Sequence, residues 1–366
     1  MTAVDLRYLE GRAAIGERIR RHSGGHANDS QKSFAASCLL HGRLFWESAS
    51  SATLETKPLL LYYGAAAYAK ALVIAFTGCR PEDLRQSHGL RCSAKHSEKI
   101  AEFCIQAEGF GLFQQFNDVV ASQNHVQFFE GTSARSKVIP TTASVKLGNL
   151  ELTLSDCFSR IPDLKSVYEL CTGKPSKAQH LQFDSDTYSQ GGFGVRIYVP
   201  QLYDGAESLQ GVITSVRNRV PFLSQWRLKA ADKAWDNSVL QFENIVPDTH
   251  EFAPLTDSAS HYRCDTPGVA FDPFDHFAPL AGGWGGTQAY VEGIDGDQVS
   301  EFSLMLASLL GLSSLVRYFP HIWTACVYRQ PISNRPVDDM LLPVIEQFLD
   351  NVTRRFPALV THLLLN

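Results

Sequence analysis

Residues 57–91, KPLLLYYGAAAYAKALVIAFTGCRPEDLRQSHGLR, hold the segment on which the fold turns. Thr56 and Pro58 mark a helix start, since proline tolerates only the first turn, and Gly78 marks the stop. Between them the chain is apolar on almost every side, the pattern of a helix enclosed by others. Leu59 to Phe76 also has the hydropathy of a membrane span. Tyr62, Tyr63, Lys70 and the run of alanines, together with the globular start signals, favour a buried helix instead. Lys70 sits in the middle of this segment. An ammonium group there either extends its stem to water or meets a partner, because an unpaired buried charge is costly.

Working outward, the first 140 residues read as helical. An amphipathic segment runs from Val4 to about His22 and ends at the turn SGGHAND. A second helix starts near Asp29 or Ser30, with Phe34, Cys38, Leu39, Phe45 and Trp46 at helical spacing. Ser93 is placed as N-cap of a further helix, AKHSEKIAEFCIQAE, closed by Gly109. After Pro140 the texture changes. SVKLGNLELTL alternates about Gly148-Asn149 as a hairpin would, and LSDCFSRIPDLKSVYELC reads as a helix. Residues 173–290 are rich in Gly, Asp, Ser and aromatics, with strand candidates FGVRIYVP, RVPFLSQWRL and VLQFENIV. Helix returns from Gln298 to about Tyr328, interrupted at Pro320, and again from Val337 to Leu349, before a turn-rich end, LVTHLLLN. The expected fold is α+β and predominantly helical. It divides into a helical region 1–140, an α+β region 141–290, and helices 291–366 packing back on the first bundle.

The 366 residues are 44% hydrophobic, enough for a substantial core. With 33 basic against 38 acidic residues and a net charge of -5, nucleic-acid binding requires a local patch rather than a global field. The 8 cysteines form no C-x-x-C pair, which suits buried thiols in a reducing cytosol. MTAVDLRYLEGRAA lacks the apolar core of a signal peptide, so the expectation is a cytoplasmic protein without a membrane anchor. QGGFGV and AGGWGGTQ lack the lysine of a P-loop, and neither G-x-S-x-G nor H-E-x-x-H occurs. Asp295-Gly-Asp297 reads as a turn and N-cap rather than a calcium loop. The loop GGWGG reads equally as a lid or a surface turn. No metal and no cofactor is expected.

KPLLLYYGAAAYAKAL, SHGL, RIPDL with VYEL, and SLLGLSSLVRYFPHIW occur in the order of the signature segments of the YaaC-like proteins, a bacterial family. The chain resembles that family over roughly residues 45–350. The family has no assigned biochemical function, so the resemblance implies a shared fold and transfers no catalytic residue. YYGAAAYAKAL followed by SHG also resembles the core hairpin of HEPN domains, helical bundles that often act as ribonucleases in bacterial stress and phage defence. Active members pair an arginine with a histidine a few residues on, near a helix start, across a homodimer. Arg91 and His96 have that spacing, as do Arg20 or Arg21 with His26, and Arg355 with His362. Metal-independent RNA cleavage needs a group that exchanges a proton near neutral pH and a fixed cation for the phosphorane. His96 and Arg91 would supply them.

Two further groupings are candidates for ligand binding. Lys70, Tyr63 and His88 would converge on a polar pocket inside the bundle, with His88-Gly89 suited either to a backbone hydrogen bond or to a ligand. Arg317 and His321, four apart and near Trp323, would share a helix face that either packs or holds a phosphate. The expected partner is RNA, a nucleotide or phosphate. Two functions therefore stand: an RNA-binding or RNA-cleaving protein, acting as a homodimer, and a non-enzymatic ligand-binding or interaction module.

Overall fold

The computed structural model describes residues 3–94, 99–122, 125–130, 133–138, 147–184, 192–199, 209–219, 223, 227–234, 237–245, 252–254, 261–264, 269–270, 287–292, 294, 299–330 and 340–365. The chain is a predominantly helical α+β protein whose residues gather in two units. One unit comprises residues 1–122, 143–176 and 294–366, and the other residues 123–142 and 177–293.

The centre of the first unit is the helix from Lys57 to Thr77, α4 in a series that opens with α1 (Ala3–Leu9), α2 (Arg12–Ser23) and α3 (Asp29–Ser50). Pro58 lies in its first turn, and Gly78, at φ 63°, ends it by donating its N–H to Ile74 O at 2.9 Å. Leu61, Tyr62, Ala65, Tyr68, Ala69 and Leu72 are all buried along it, and 67% of its most apolar window is enclosed by the rest of the chain. Helices α3 and α4 lie close because glycine faces an aromatic ring at two places. A Cβ on Gly42 would meet the Tyr68 ring at 2.5 Å, and one on Gly64 would meet the Trp46 ring at 2.7 Å. Helix α3 starts on a reciprocal cap: Asn28 Oδ1 accepts from Gln31 N–H and Gln31 Oε1 from Asn28 N–H, each at 2.8 Å. Gln31 Nε2 also donates to Gly78 O at 2.6 Å, tying the start of α3 to the end of α4.

Four local readings need correction. The segment Val4 to His22 is two helices, because the chain turns at Glu10-Gly11. Of the run from Ala94 to Glu108, residues 95–98 lie outside the described residues, and the rest holds a 3-10 turn (Ile100–Glu102) and a strand in place of the expected helix. Leu90–Ser93 (β1) and Cys104–Ala107 (β2) are strands that pair antiparallel, and Glu151–Thr153 (β5) completes a sheet in the order β1-β2-β5. Pairing on both sides places it: β2 is the central strand, bonded to β1 and to β5, and Cys104, Ile105 and Ala107 are enclosed there. The expected hairpin is a turn, with Asn149 at φ 68°, and β5 pairs with β2; residues 144–146 lie outside the described residues. The helix expected from Leu154 to Cys171 breaks at Ile161-Pro162 into α6 (Leu154–Ser159), a 3-10 turn (Pro162–Leu164) and α7 (Lys165–Thr172), following α5 (Leu112–Ser122).

The C-terminal helices of this unit are Glu301–Tyr318 (α9), Pro320–Val327 (α10) and Leu342–Leu365 (α11). Between α9 and α10 the axis bends by 105° at Phe319 (φ -131°, ψ 49°), where Pro320 begins the new helix. Helix α9 lies directly on the small sheet, since a Cβ on Gly311 would meet Ile105 Cδ1 at 2.8 Å. The end expected to be turn-rich is helical through Leu365, despite Pro357. Proline has no N–H, so Thr353 O loses its partner one turn back, and Trp46 Nε1 donates to that oxygen at 2.8 Å.

The second unit is built of antiparallel sheets. His125–Glu130 (β3), Ser133–Val138 (β4), Phe252–Pro254 (β10) and His261–Cys264 (β11) form one in the order β10-β11-β3-β4. Ala178–Asp184 (β6), Gly192–Val199 (β7), Arg227–Ala234 (β8), Asn237–Ile245 (β9), Val269–Ala270 (β12) and Thr287–Val291 (β13) form the other, in the order β12-β13-β6-β7-β9-β8. FGVRIYVP falls on β7 and VLQFENIV on β9, while most of RVPFLSQWRL lies outside the described residues before β8 begins. Helix α8 (Leu209–Arg219) buries Val212, Ile213 and Val216, and Arg217 lies 5.7 Å from the centre of the Phe242 ring. The loop GGWGG and Asp295-Gly-Asp297 lie outside the described residues.

Candidate functional site

The backbone of the stretch Ser87-His88-Gly89 is anchored at all three carbonyls. Ser87 O and His88 O accept the N–H groups of Leu112 and Phe113, and Gly89 O that of Glu108, each at 3.0 Å. The first two donors belong to the opening turn of α5, whose N–H groups have no partner within the helix, so the loop serves as its cap. The approach leaves no room for side chains. Gly89 is at φ 74°, and a Cβ there would lie 2.1 Å from Phe110 O. The His88 imidazole is thereby fixed beside α4.

Its Nδ1 pairs with the Tyr62 hydroxyl at 2.6 Å, the two rings meeting edge-on with centres 5.5 Å apart. Tyr62 is buried, and burial pushes its phenol well above the ordinary range, so the hydroxyl keeps its proton. A protonated phenol donates. We therefore assign Nδ1 as the acceptor, which leaves the proton of the neutral ring on Nε2. Partial desolvation of the ring where it packs on Tyr62, then the cation of Arg317, then that of Lys70 hold the His88 pKa below its ordinary 6.5, although the residue as a whole is exposed. The two cations thus act on one imidazole from different helices.

Arg317 lies in the last turn of α9, where a cation suits the helix dipole. Its guanidinium donates from Nε to Ser313 O at 3.3 Å, from Nη2 to Ser313 Oγ at 3.2 Å and from Nη1 to Tyr63 Oη at 3.4 Å. It also lies 4.8 Å from the centre of the Tyr318 ring and 5.8 Å from that of Tyr63. Tyr63 and Lys70 are seven residues apart on α4 and share a face. Lys70 is half-buried and His88 exposed, while Tyr63 is 37% and Tyr318 65% exposed. The grouping expected inside the bundle is therefore a rim at the surface. Among the described residues, Lys70 and Arg317 have no carboxylate partner, unlike Arg43, which is paired with Glu10 and Glu47.

The other candidates lie elsewhere. His321 is exposed on α10, and the bend before Pro320 removes the helix face it was expected to share with Arg317. Trp323 donates to Glu55 O at 3.0 Å, and the Tyr328 hydroxyl bonds the Glu55 carboxylate. Arg91 stands on strand β1, not at a helix start, with its side chain 75% exposed and paired to Glu108 at 2.9 Å. His96 lies outside the described residues. Arg21 donates to Leu365 O at the end of α11, and Arg355 is enclosed in ion pairs with Glu301 and Asp163. No three His, Cys, Asp or Glu side chains among the described residues gather as metal ligands would.

Two residues of the rim were not singled out from the sequence. Tyr62, rather than Tyr63, bonds His88, a difference of one helical position that depends on where the loop docks. Tyr318 was legible only as an aromatic beside Arg317, at the end of the apolar run of α9 and just before a proline. What the rim offers chemically is an imidazole N–H, the exposed phenol rings of Tyr63 and Tyr318 and the cation of Arg317, with a second cation, Lys70, two turns along the same face of α4.

A family model described as YaaC-like protein matches residues 7–364. No curated protein and no solved structure matches the chain.

Proposed function

The chain belongs to the YaaC-like family, and from that premise we propose that its helical unit is a binding module for a phosphate-bearing anion, held by Lys70, His88 and Arg317. The observation that carries this reading is geometric: Arg317 donates to Tyr63 Oη at 3.4 Å and His88 Nδ1 pairs with Tyr62 at 2.6 Å, neighbouring residues of α4, the helix that also carries the half-buried Lys70. Cations gathered around one place repel, and an anion removes that repulsion. The guanidinium is already oriented by Ser313 and Tyr63, so little freedom remains to be lost when it meets a phosphate. RNA cleavage by Arg91 and His96 draws no support from an arginine on a strand, exposed and paired to Glu108.

The test is calorimetric titration of the full chain with inorganic phosphate, alongside Lys70→Met and Arg317→Leu. Each variant is expected to bind roughly tenfold or more weakly, since hydrogen bonds to charged groups contribute on the order of 1.5–3 kcal/mol. Affinity unchanged in both variants would place any bound phosphate elsewhere and end this reading.

A further inference from the structure

The rim contains more aromatic surface than an anion requires. Rings and guanidinium form a continuous series: Phe45 lies 5.6 Å from Tyr63 and Tyr62 lies 5.7 Å from Tyr63, measured between ring centres. Arg317 lies 5.8 Å from the Tyr63 ring and 4.8 Å from Tyr318, whose ring ends the series. Tyr318 is 65% exposed, the highest value among the large aromatics of the described residues, whereas Tyr68, Phe103, Phe116 and Phe356 are enclosed. A planar cation lying over an exposed phenol is the arrangement on which a flat, electron-rich heterocycle stacks.

We infer that the anion bound here carries a nucleobase, which stacks on the exposed Tyr318 ring while its phosphate meets Arg317, Lys70 and His88. This rests on the reading of the rim as a phosphate site and adds the class of ligand. A bare phosphate would leave the rings without a role. A fatty or lipid tail would need an aliphatic groove rather than a row of phenols beside a guanidinium. A nucleotide uses both: its base lies on the exposed phenol and its phosphate meets the N–H groups of the guanidinium beside it. Free nucleotides and RNA share this chemistry, and the length of the bound strand separates them.

The experiment titrates the full chain with inorganic phosphate, ribose 5-phosphate, AMP and a six-nucleotide adenylate RNA. Base stacking on an aromatic side chain corresponds to roughly a five- to hundredfold gain, so AMP is expected to bind at least about fivefold tighter than ribose 5-phosphate. Tyr318→Ala is expected to abolish that advantage, so that AMP and ribose 5-phosphate bind alike, and Tyr318→Phe to keep it. A hexamer that binds more tightly than AMP identifies RNA as the source of the base, and equal affinity identifies the free nucleotide. If AMP and ribose 5-phosphate bind equally, the nucleobase assignment is overturned and the phosphate site stands. If no phosphate-bearing probe binds, both fall.

Discussion

Helix α9 carries a charge near each end, and the protein treats the two differently. In its first turn Glu301 is 7% exposed and gripped by Arg355, whose Nη1 donates to Oε1 at 2.6 Å and Nη2 to Oε2 at 3.2 Å. Asp163 accepts from the same Nη1 at 2.6 Å, and the guanidinium lies 5.7 Å from the Phe302 ring. In the last turn, Arg317 meets a backbone carbonyl, two hydroxyls and two rings. The dipole of α9 favours an acid at one end and a base at the other, so it accounts for both signs. It does not account for the partners. Where the charge is structural, carboxylates and guanidinium answer each other atom for atom. At the other end the cation is held in orientation by neutral groups, which leaves its charge available to an incoming anion.

The largest expected effect lies at the closed end. Arg355→Ala leaves Glu301 enclosed without its bidentate partner, and breaking a buried pair in this way costs about 3–5 kcal/mol. Urea unfolding followed by helical circular dichroism measures it. A loss below about 1 kcal/mol would mean that the triad is not what holds α11 against the start of α9. At the open end the same measurement on Arg317→Leu should give a change within about 1 kcal/mol. The lost cation–aromatic attraction is of that order, and relief of the repulsion with Lys70 and His88 opposes it. A destabilisation as large as that of Arg355→Ala would make Arg317 a packing residue and erase the contrast.

Much of the helical framework was legible locally. Pro58 in the first turn and Gly78 at the left-handed end bracket α4, although the Thr56 side chain makes no cap, and the break at Pro320 follows from proline chemistry. The sheet β1-β2-β5 was not, since its strands pair Ile105 with Leu152 and are pressed beneath Gly311, contacts made across long sequence separations. The helical end of α11, past Pro357, was not legible for a related reason. The oxygen that proline frees is satisfied by Trp46, which no reading of the last helix alone could supply. At the rim, Lys70 was visible as a charge in an apolar helix and His88 as a histidine in a glycine turn. Their common neighbour Arg317 comes from the far end of the chain. Nothing local announces that Tyr62 takes the hydrogen bond and Tyr63 the guanidinium.

The most direct test of the anion site is the titration of the His88 imidazole by NMR, with and without sulfate, a dianion whose charge is constant near neutral pH. In the free protein its pKa lies below 6.5. The neutral ring therefore adds stability above pH 6.5, and that contribution is lost as pH falls through the folded value. A dianion held by Lys70 and Arg317 favours the imidazolium, so sulfate should move the His88 pKa upward, and Arg317→Leu should raise it in the free protein by removing a like charge. The expected result is an upward shift that saturates with sulfate in the wild type and is much reduced in Arg317→Leu. A His88 titration that stays where it is at saturating sulfate would contradict the account, because an anion bound beside two cations and an imidazole cannot leave that imidazole unchanged.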